Sequence, residues 1–411
     1  SKRFYPGMNE ASHVLGSVNV DNQGIAGIEK HMDVENVALL QELGLARGNA
    51  LTPVQLSIDM RVQHVVYDEL LDSLTRYQAI AAAGVVMDVH TGEILAMASL
   101  PDFDPNEPAT ALVKDSFNRI TSGIFELGST FKTVTLAGAL DSGTVRITDQ
   151  FDARFGVRFG RYTIDDFHGK HRILSVPEIY KYSSNIGTIR IMQTWGKDNY
   201  RAFLTRIGFD QRVPLELPEM RNPVVPQTFS EVGAATASFG HGLSISPLHM
   251  AVAYSAFTNG GNYIAPTLYK RSPEEAQGLY RRVLSPEASA DVRYLMRLNA
   301  LEGSGSRMNR IAEGYRMGGK TGTAEKVVDG RYSSDKNLNV FASAFPMDDP
   351  RYAIVVLVDE AKAENAQSGN TAGWNAGEVS GRIVKRIAPM LGIQPDFRPE
   401  IDAALVPPQL R

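Results

Sequence analysis

The chain has 411 residues, of which 43% are hydrophobic and 21% charged, a composition typical of a globular protein with two or three domains. The sequence contains no cysteine, which excludes disulfides, thiol catalysis and thiolate metal sites. Its formal net charge of -4, without a basic run, argues against a nucleic-acid partner. The longest apolar run, Tyr352–Val358, is much shorter than the roughly 20 residues that span a membrane. No signal peptide is visible and the first residue is serine, so we expect a piece of a longer protein.

The first half of the chain predicts a helix, a hairpin and a second helix. Residues 1–55 are weak in periodicity. Ser57–Ile80 carries apolar residues at i, i+3 and i+4, which predicts a helix. Two strand-like runs, Ala83–Val89 and Glu93–Ser99, are joined by a His-Thr-Gly turn and predict a hairpin. A further helix is predicted over Ser129–Leu140.

The second half predicts one more helix start, three strands and a final helix. Ser175–Glu178 is a capping box with an early proline, so a helix begins there. Strands are predicted over Met317–Val327, Asn339–Phe345 and Tyr352–Asp359, and the final helix over Glu378–Ile387. Strands that flank a helical middle predict an α+β fold.

Three short motifs follow one another: Ser-x-x-Lys at Ser129–Lys132, Ser-x-Asn at Ser183–Asn185 and Lys-Thr-Gly at Lys320–Gly322. Each is weak alone, and Ser-x-x-Lys occurs again at Ser333–Lys336 in a polar stretch without a helix pattern. Ser129 alone is explained as a helix N-cap, the second motif as a turn and the third as an exposed strand end. Their combination in this order favours a catalytic site.

The spacing of the first motif suits nucleophilic catalysis. Residues i and i+3 share a helix face, so Lys132 can reach the hydroxyl of Ser129. A serine hydroxyl needs a base, and a lysine serves when burial or a nearby cation lowers its pKa. Lys320 is the candidate cation. A helix N-terminus also directs the backbone N–H of Ser129 at developing negative charge.

The Lys-Thr-Gly segment predicts a strand that binds the substrate. We expect its glycines to leave room for a peptide backbone alongside the strand. Lys320 and the hydroxyls of Thr321 and Thr323 are candidates for holding a substrate carboxylate. The backbone N–H of Thr323 is the candidate second oxyanion donor, beside that of Ser129.

The order of the three motifs resembles that of penicillin-binding proteins and serine β-lactamases. Phe125–Lys132 closely matches the nucleophile motif of class B penicillin-binding proteins, and the chain most closely resembles their division-specific (septal) peptidoglycan DD-transpeptidases. Further similar segments are Arg3–Pro6, His13–Gly16, Gly24–Lys30, Leu56–Asp59, Ala83–Asp88, Gly92–Met97 and Phe239–Pro247.

The resemblance implies a penicillin-binding protein/serine β-lactamase-like fold, with an antiparallel sheet flanked by helices and an all-helical subdomain. It implies a remnant of the non-catalytic pedestal and linker at 1–55, a transpeptidase domain at 56–392 and a C-terminal tail at 393–411. The implied location is the periplasmic face of the inner membrane, with the single-pass anchor outside this chain.

The resemblance also implies the residue roles. Ser129 would be acylated by the stem peptide or by a β-lactam, and Lys132 would be its general base. Ser183 would relay a proton and Asn185 would bind a substrate amide. The substrate-binding residues would be Lys320, Thr321, Gly322 and Thr323.

The implied partners are peptidoglycan stem peptides, β-lactam antibiotics, an inner-membrane glycosyltransferase and divisome proteins. No cofactor or metal is expected. The closely spaced His168 and His171 lie beside Asp165 and Asp166 in a polar stretch that we interpret as a solvated loop.

Two alternative functions remain. A serine β-lactamase needs an added base for deacylation, and Glu216 or Glu219 is a candidate for that base. A β-lactam sensor would be acylated without transferring the acyl group. The long N-terminal segment favours the transpeptidase.

Overall fold

A five-stranded antiparallel sheet forms the centre of the structure, a computed structural model that describes residues 2–42 and 53–411. In spatial order its strands are Gly318–Val328, Arg331–Phe345, Tyr352–Asp359, Ala81–Asp88 and Ile94–Leu100. The hairpin predicted over Ala83–Val89 and Glu93–Ser99 is confirmed as Ala81–Asp88 with Ile94–Leu100, and it pairs with the last long strand of the chain. The glycine-rich strand, Gly318–Val328, forms one edge of the sheet.

Both faces of the sheet are covered, so the central strands are apolar on both sides. Along the strand Ala81–Asp88, Val85 and Met87 join one hydrophobic cluster and Val86 joins the other, as the alternation of a strand requires. Helices Met60–Arg76 and Ala376–Met390 cover one face, and Pro247–Thr258 covers the other. The predicted α+β fold is confirmed.

The remaining elements are short strands and helices. The short strands are Ser17–Val18, Gly24–Ala26, Gln150–Asp152, Val157–Phe159, Tyr162–Ile164, Ile173–Ser175, Asn262–Tyr263 and Arg281–Arg282. The other α-helices are Ser12–Leu15, Gly27–Glu42, Phe131–Asp141, Val176–Lys181, Asn185–Trp195, Lys197–Arg206, Glu231–Ser238, Pro273–Gln277, Pro286–Glu302, Ser306–Ile311 and Pro399–Leu405. Short 3-10 turns are Pro108–Leu112, Gly128–Thr130, Ala372–Trp374 and Pro408–Leu410.

One predicted strand boundary is wrong, and the helix predicted as the last of the chain is followed by another. The strand expected to begin at Asn339 begins at Arg331, because its hairpin with the glycine-rich strand extends beyond the sheet. That extension is mostly exposed, so its sequence is polar and lacks the pattern of a buried strand. Glu378–Ile387 lies in the helix Ala376–Met390, as predicted, but Pro399–Leu405 follows as another helix.

The N-terminal segment packs on the rest of the chain. His13 Nε2 hydrogen-bonds the carbonyl of Ser116 at 2.5 Å, and Gln63 donates to the carbonyl of Glu10 at 2.6 Å. The division at residue 55 lies close to residues 43–52, outside the described ranges, and it stays a prediction.

The C-terminal segment is also attached to the rest of the chain. Asp402 forms an ion pair of 2.6 Å with the buried guanidinium of Arg297. Within the described ranges, no helix has the length and apolar character needed to cross a membrane.

Candidate active site

Ser129 lies in the 3-10 turn Gly128–Thr130 that leads into the helix Phe131–Asp141, which together we call the Ser129 helix. Gly128 has a φ of 56°, a conformation that favours glycine. The hydroxyl of Tyr254 donates to the carbonyl of Thr130 at 2.9 Å and so fixes the residue that follows Ser129. Ser129 is half-buried, and its hydroxyl makes no hydrogen bond to the described residues. The hydroxyl of this candidate nucleophile is therefore free to meet a bound molecule.

Two buried lysines meet at the hydroxyl of Ser183. Lys132 Nζ donates to Ser183 Oγ at 2.9 Å and to its carbonyl at 2.6 Å. Lys320 Nζ donates to the same Oγ at 3.1 Å. The structure thus brings together residues from all three motifs. The expected contact of Lys132 with the Ser129 hydroxyl is not formed among the described residues, because Lys132 binds Ser183 instead.

Burial lowers the pKa of both amines. The pKa of Lys132 lies well below its usual value because of burial and, secondly, the nearby charge of Lys320. Burial lowers the pKa of Lys320 to about 7. Loss of hydration on burial disfavours the charged form of an amine, and a second cation nearby adds to this effect. Lys132 is therefore able to accept a proton near neutral pH, which is the requirement for a general base.

Asp166 holds the Ser-x-Asn motif in place. Its two carboxylate oxygens accept hydrogen bonds from Ser184 Oγ at 2.7 Å and from the backbone N–H of Ile186 at 2.8 Å. Asn185 begins the following helix, and its side-chain amide donates to the carbonyl of Asp165 at 3.4 Å. Ser183 itself has a φ of 54°, so the turn needs this support.

The polar stretch around Asp166 is only partly a solvated loop. His168 and His171 are exposed, as predicted, whereas Asp166 is half-buried and hydrogen-bonded. The interpretation was wrong for Asp166 because a polar stretch does not reveal which of its residues folds back onto a helix N-terminus.

The glycines of the glycine-rich strand make room for the protein itself. A Cβ at Gly322 would lie 2.3 Å from the carbonyl oxygen of Leu127, and one at Gly318 would lie 2.7 Å from Met347 Cγ. Gly322 therefore lets the strand lie against the turn that carries Ser129. The expectation that these glycines leave space for a substrate backbone is wrong for these two positions.

Both threonine hydroxyls of this strand are already hydrogen-bonded. Thr321 Oγ1 donates to Ser304 Oγ at 2.8 Å. Thr323 Oγ1 donates to Asn339 Oδ1 at 3.1 Å and accepts from the N–H of Ala372 at 3.1 Å. These contacts orient the side chains, and a bound carboxylate has to compete with them. Ser304 is a neighbour of the site that no sequence motif indicated.

Glu126 lies in the matching segment Phe125–Lys132 but outside the three short motifs, which gave it no role. Its half-buried carboxylate accepts from the N–H of Gly242 at 2.9 Å and lies 3.2 Å from His241 Nδ1. These bonds hold the turn at Gly240 against the Ser129 helix, where a Cβ on Gly240 would lie 2.0 Å from the carbonyl oxygen of Gly128. The sequence signal for this contact was the two glycines, Gly240 and Gly242, that flank His241.

The two candidate hydrolytic bases have structural partners elsewhere. Glu216 accepts from Thr267 Oγ1 at 2.5 Å and from the N–H of Leu268 at 2.9 Å. Glu219 accepts from the N–H of Gly27 at 3.0 Å. Neither carboxylate contacts the residues of the three motifs, so the geometry gives no support to a β-lactamase base at these positions.

Comparison with known sequences identifies the family. The profile described as "Penicillin binding protein transpeptidase domain" matches residues 82–387. The chain is 37% identical over 401 residues to the probable peptidoglycan D,D-transpeptidase FtsI of Caulobacter vibrioides, covering 96% of this chain and 67% of that protein. It is 30% identical to the peptidoglycan D,D-transpeptidase FtsI of Escherichia coli K12, covering 96% and 68%. The chain thus spans about two thirds of the length of these relatives.

Solved structures agree with this assignment. Penicillin-binding protein 3 of Mycobacterium tuberculosis, complexed with ampicillin, has a TM-score of 0.84 at 25% identity and covers 97% of this chain and 91% of its own. The transpeptidase domain of Burkholderia pseudomallei penicillin-binding protein 3 has a TM-score of 0.75 at 28% identity, covering 85% of this chain and 100% of its own. The chain belongs to the penicillin-binding protein transpeptidase family, as the order of its three motifs predicted.

Proposed function

We propose that this chain is a serine D-Ala-D-Ala transpeptidase that cross-links peptidoglycan stem peptides through an acyl-enzyme at Ser129. The observation that carries this proposal is the pair of buried lysines, Lys132 and Lys320, which share the Oγ of Ser183. The names of the related FtsI proteins support the reaction class.

In the first half of the reaction, Ser129 Oγ attacks the carbonyl carbon of the penultimate D-alanine. Lys132 accepts the hydroxyl proton, and the backbone N–H groups of Ser129 and Thr323 stabilise the oxyanion. The C–N bond to the terminal D-alanine then breaks. The proton moves from Lys132 through the hydroxyl of Ser183 to the leaving amine, leaving an ester on Ser129.

In the second half, the amine of a neighbouring stem peptide attacks the ester carbonyl. It loses a proton to Lys132 by the same route, the C–O bond to Ser129 breaks, and the serine recovers its hydrogen. The new amide is the cross-link. The hydroxyl of Ser183 suits this relay because Lys132 Nζ donates to it at 2.9 Å.

The remaining residues bind the donor peptide. Asn185 hydrogen-bonds an amide of the donor, and Lys320 with Thr321, Gly322 and Thr323 forms the site for its terminal carboxylate. A β-lactam carries a carboxylate and a reactive amide in a similar arrangement. It therefore acylates Ser129 and stays bound, in keeping with the ampicillin complex of the structural relative.

Location and partners follow from the resemblance to septal transpeptidases. We infer that the catalytic region acts on the periplasmic face of the inner membrane, in a longer protein that carries the anchor. An inner-membrane glycosyltransferase that polymerises the glycan and other divisome proteins are the inferred partners.

The test is mass spectrometry of the intact protein after incubation with benzylpenicillin, followed by peptide mapping. We expect one stable adduct per chain on the peptide that contains Ser129, and no adduct on Ser129→Ala. An adduct on another residue would refute the assignment. Continuous hydrolysis of nitrocefin would instead indicate a β-lactamase, and acylation without transfer of a thioester acyl group to D-amino acids would indicate a sensor.

A further inference from the structure

Three cationic side chains surround the ring of Tyr182. Lys170 Nζ lies 4.7 Å from the ring centroid, Lys181 Nζ lies 4.9 Å from it, and the guanidinium carbon of Arg172 lies 5.9 Å from it. An aromatic face attracts a cation at these distances. Three cations around one ring also repel one another, so the arrangement favours the arrival of an anion.

Two of the three cations already have acidic partners. Arg172 pairs with Glu178, whose carboxylate also accepts from the N–H of Ser175 in the capping box. Lys181 pairs with Glu302 at 2.9 Å. Lys170 is exposed and forms no ion pair with the described residues. One positive charge beside the ring is therefore left without a counter-charge.

This cation cluster lies at the active site. Tyr182 directly precedes Ser183, the residue that binds both buried lysines. The segment that carries Lys170 is tied to the same turn by Asp166, which accepts from Ser184 Oγ. In the proposed function the donor peptide binds this same turn, because Asn185, which would hold one of its amides, begins the helix that follows Tyr182 and Ser183.

We propose that Lys170 and the ring of Tyr182 bind a side-chain carboxylate of the donor stem peptide, upstream of its D-Ala-D-Ala end. The ammonium pairs with the carboxylate, and the ring packs against the aliphatic carbons of the same residue. This inference rests on the proposed function, and it adds a specificity contact for an anionic peptide. A β-lactam, which resembles only the D-Ala-D-Ala end, does not reach this contact.

The experiment measures peptide binding without turnover. The parent is Ser129→Ala, and the probes are a synthetic stem pentapeptide ending in D-Ala-D-Ala with free side-chain carboxylates and the same peptide with those carboxylates amidated. Lys170→Gln and Lys170→Glu are made in this parent. Lys385→Glu is the matched control, since Lys385 is also an exposed lysine, lies on the helix Ala376–Met390 and forms no ion pair within the described part of the chain.

We expect Lys170→Gln to weaken binding of the free-carboxylate peptide about fivefold, and Lys170→Glu by about tenfold or more, in the range of partly exposed ion pairs. The amidated peptide should bind the parent more weakly than the free-carboxylate peptide does, and it should bind the Lys170 variants as well as it binds the parent. Lys385→Glu should bind both peptides as the parent does. Thermal melting of each variant checks that the fold is kept.

Equal binding of the free-carboxylate peptide to the parent and to Lys170→Glu would overturn this inference. An equal loss for both peptides would also overturn it, because the loss would then not depend on the carboxylates. Benzylpenicillin adduct formation on the protein with Ser129 intact tests the proposed function separately. Loss of that adduct refutes the transpeptidase, whereas its presence together with unchanged peptide binding refutes only the role of Lys170.

Discussion

Replacing Lys320 with methionine should move the acidic limb of the acylation pH profile to higher pH. The two lysine Nζ atoms lie 2.9 and 3.1 Å from the same Ser183 Oγ. The charge of Lys320 therefore lowers the pKa of Lys132, in addition to the effect of burial. Methionine has a similar length and is apolar, so it fills the buried space and removes this charge.

The size of the shift follows from the separation of the two amines. They are at most about 6 Å apart through Ser183 Oγ, so at an effective dielectric constant near 20 the repulsion between two ammonium groups is roughly 3 kcal/mol. The full effect applies where Lys320 is protonated, below its pKa of about 7. Lys132 acts as a base in its neutral form, so a higher pKa leaves less of the base available at neutral pH. Acylation should fall there and recover as the pH rises.

The assay is the second-order rate constant for acylation by benzylpenicillin, followed across the acid and alkaline range. Loss of carboxylate recognition lowers the rate at pH values below the Lys320 pKa of about 7 without moving the midpoint of the acidic limb, whereas a higher pKa of Lys132 moves that midpoint. Lys326→Met is the control, because Lys326 lies on the same strand but pairs with Asp359 at 3.0 Å and Glu360 at 2.9 Å. A limb that stays in place or moves to lower pH in Lys320→Met would refute the coupling.

The remaining predictions concern the nucleophile, the turn and the C-terminal segment. Ser129→Ala should abolish labelling by a fluorescent penicillin while the melting temperature is kept, and residual stoichiometric labelling would place the nucleophile elsewhere. Asp166→Ala should lower the free energy of unfolding by about 1–3 kcal/mol, because it leaves buried donors of the Ser-x-Asn turn without an acceptor. It should also slow acylation. Chemical denaturation measures the first effect and the acylation rate constant the second. Asp402→Ala should destabilise the fold by about 3 kcal/mol, because it leaves the guanidinium of Arg297 buried without its carboxylate. An unchanged denaturation midpoint in Asp402→Ala would show that the C-terminal helix contributes little.

The sequence predicted those parts of the fold that repeat a pattern. The helix Met60–Arg76 buries a periodic set of apolar side chains, and the hairpin strands are continuous apolar runs on either side of a turn. Both patterns are visible in the sequence. Gly27–Glu42 and Pro399–Leu405 were missed. Pro399–Leu405 buries no residue, so tertiary contacts such as the Arg297–Asp402 pair maintain it.

The candidate site was predictable as a set of residues but not as a network. Motif order indicated Ser129, Lys132 and Lys320, because each motif is a local pattern. The helical spacing predicted that Lys132 would reach Ser129, whereas the structure directs its Nζ to Ser183. Asp166 lies outside every motif, and only the tertiary structure shows that it accepts from the neighbouring turn.

Burying the two lysines is unfavourable for folding and necessary for the proposed chemistry. A lysine amine in water is almost fully protonated near neutral pH, so it cannot accept another proton as a base. Removing it from water stabilises the neutral form, and the same desolvation destabilises the folded chain. The hydroxyl of Ser183 limits this penalty, since it offers one oxygen to both Lys132 and Lys320. Because that oxygen lies between the proposed base and the proposed carboxylate-binding cation, a single buried contact would connect proton transfer to recognition of the peptide end.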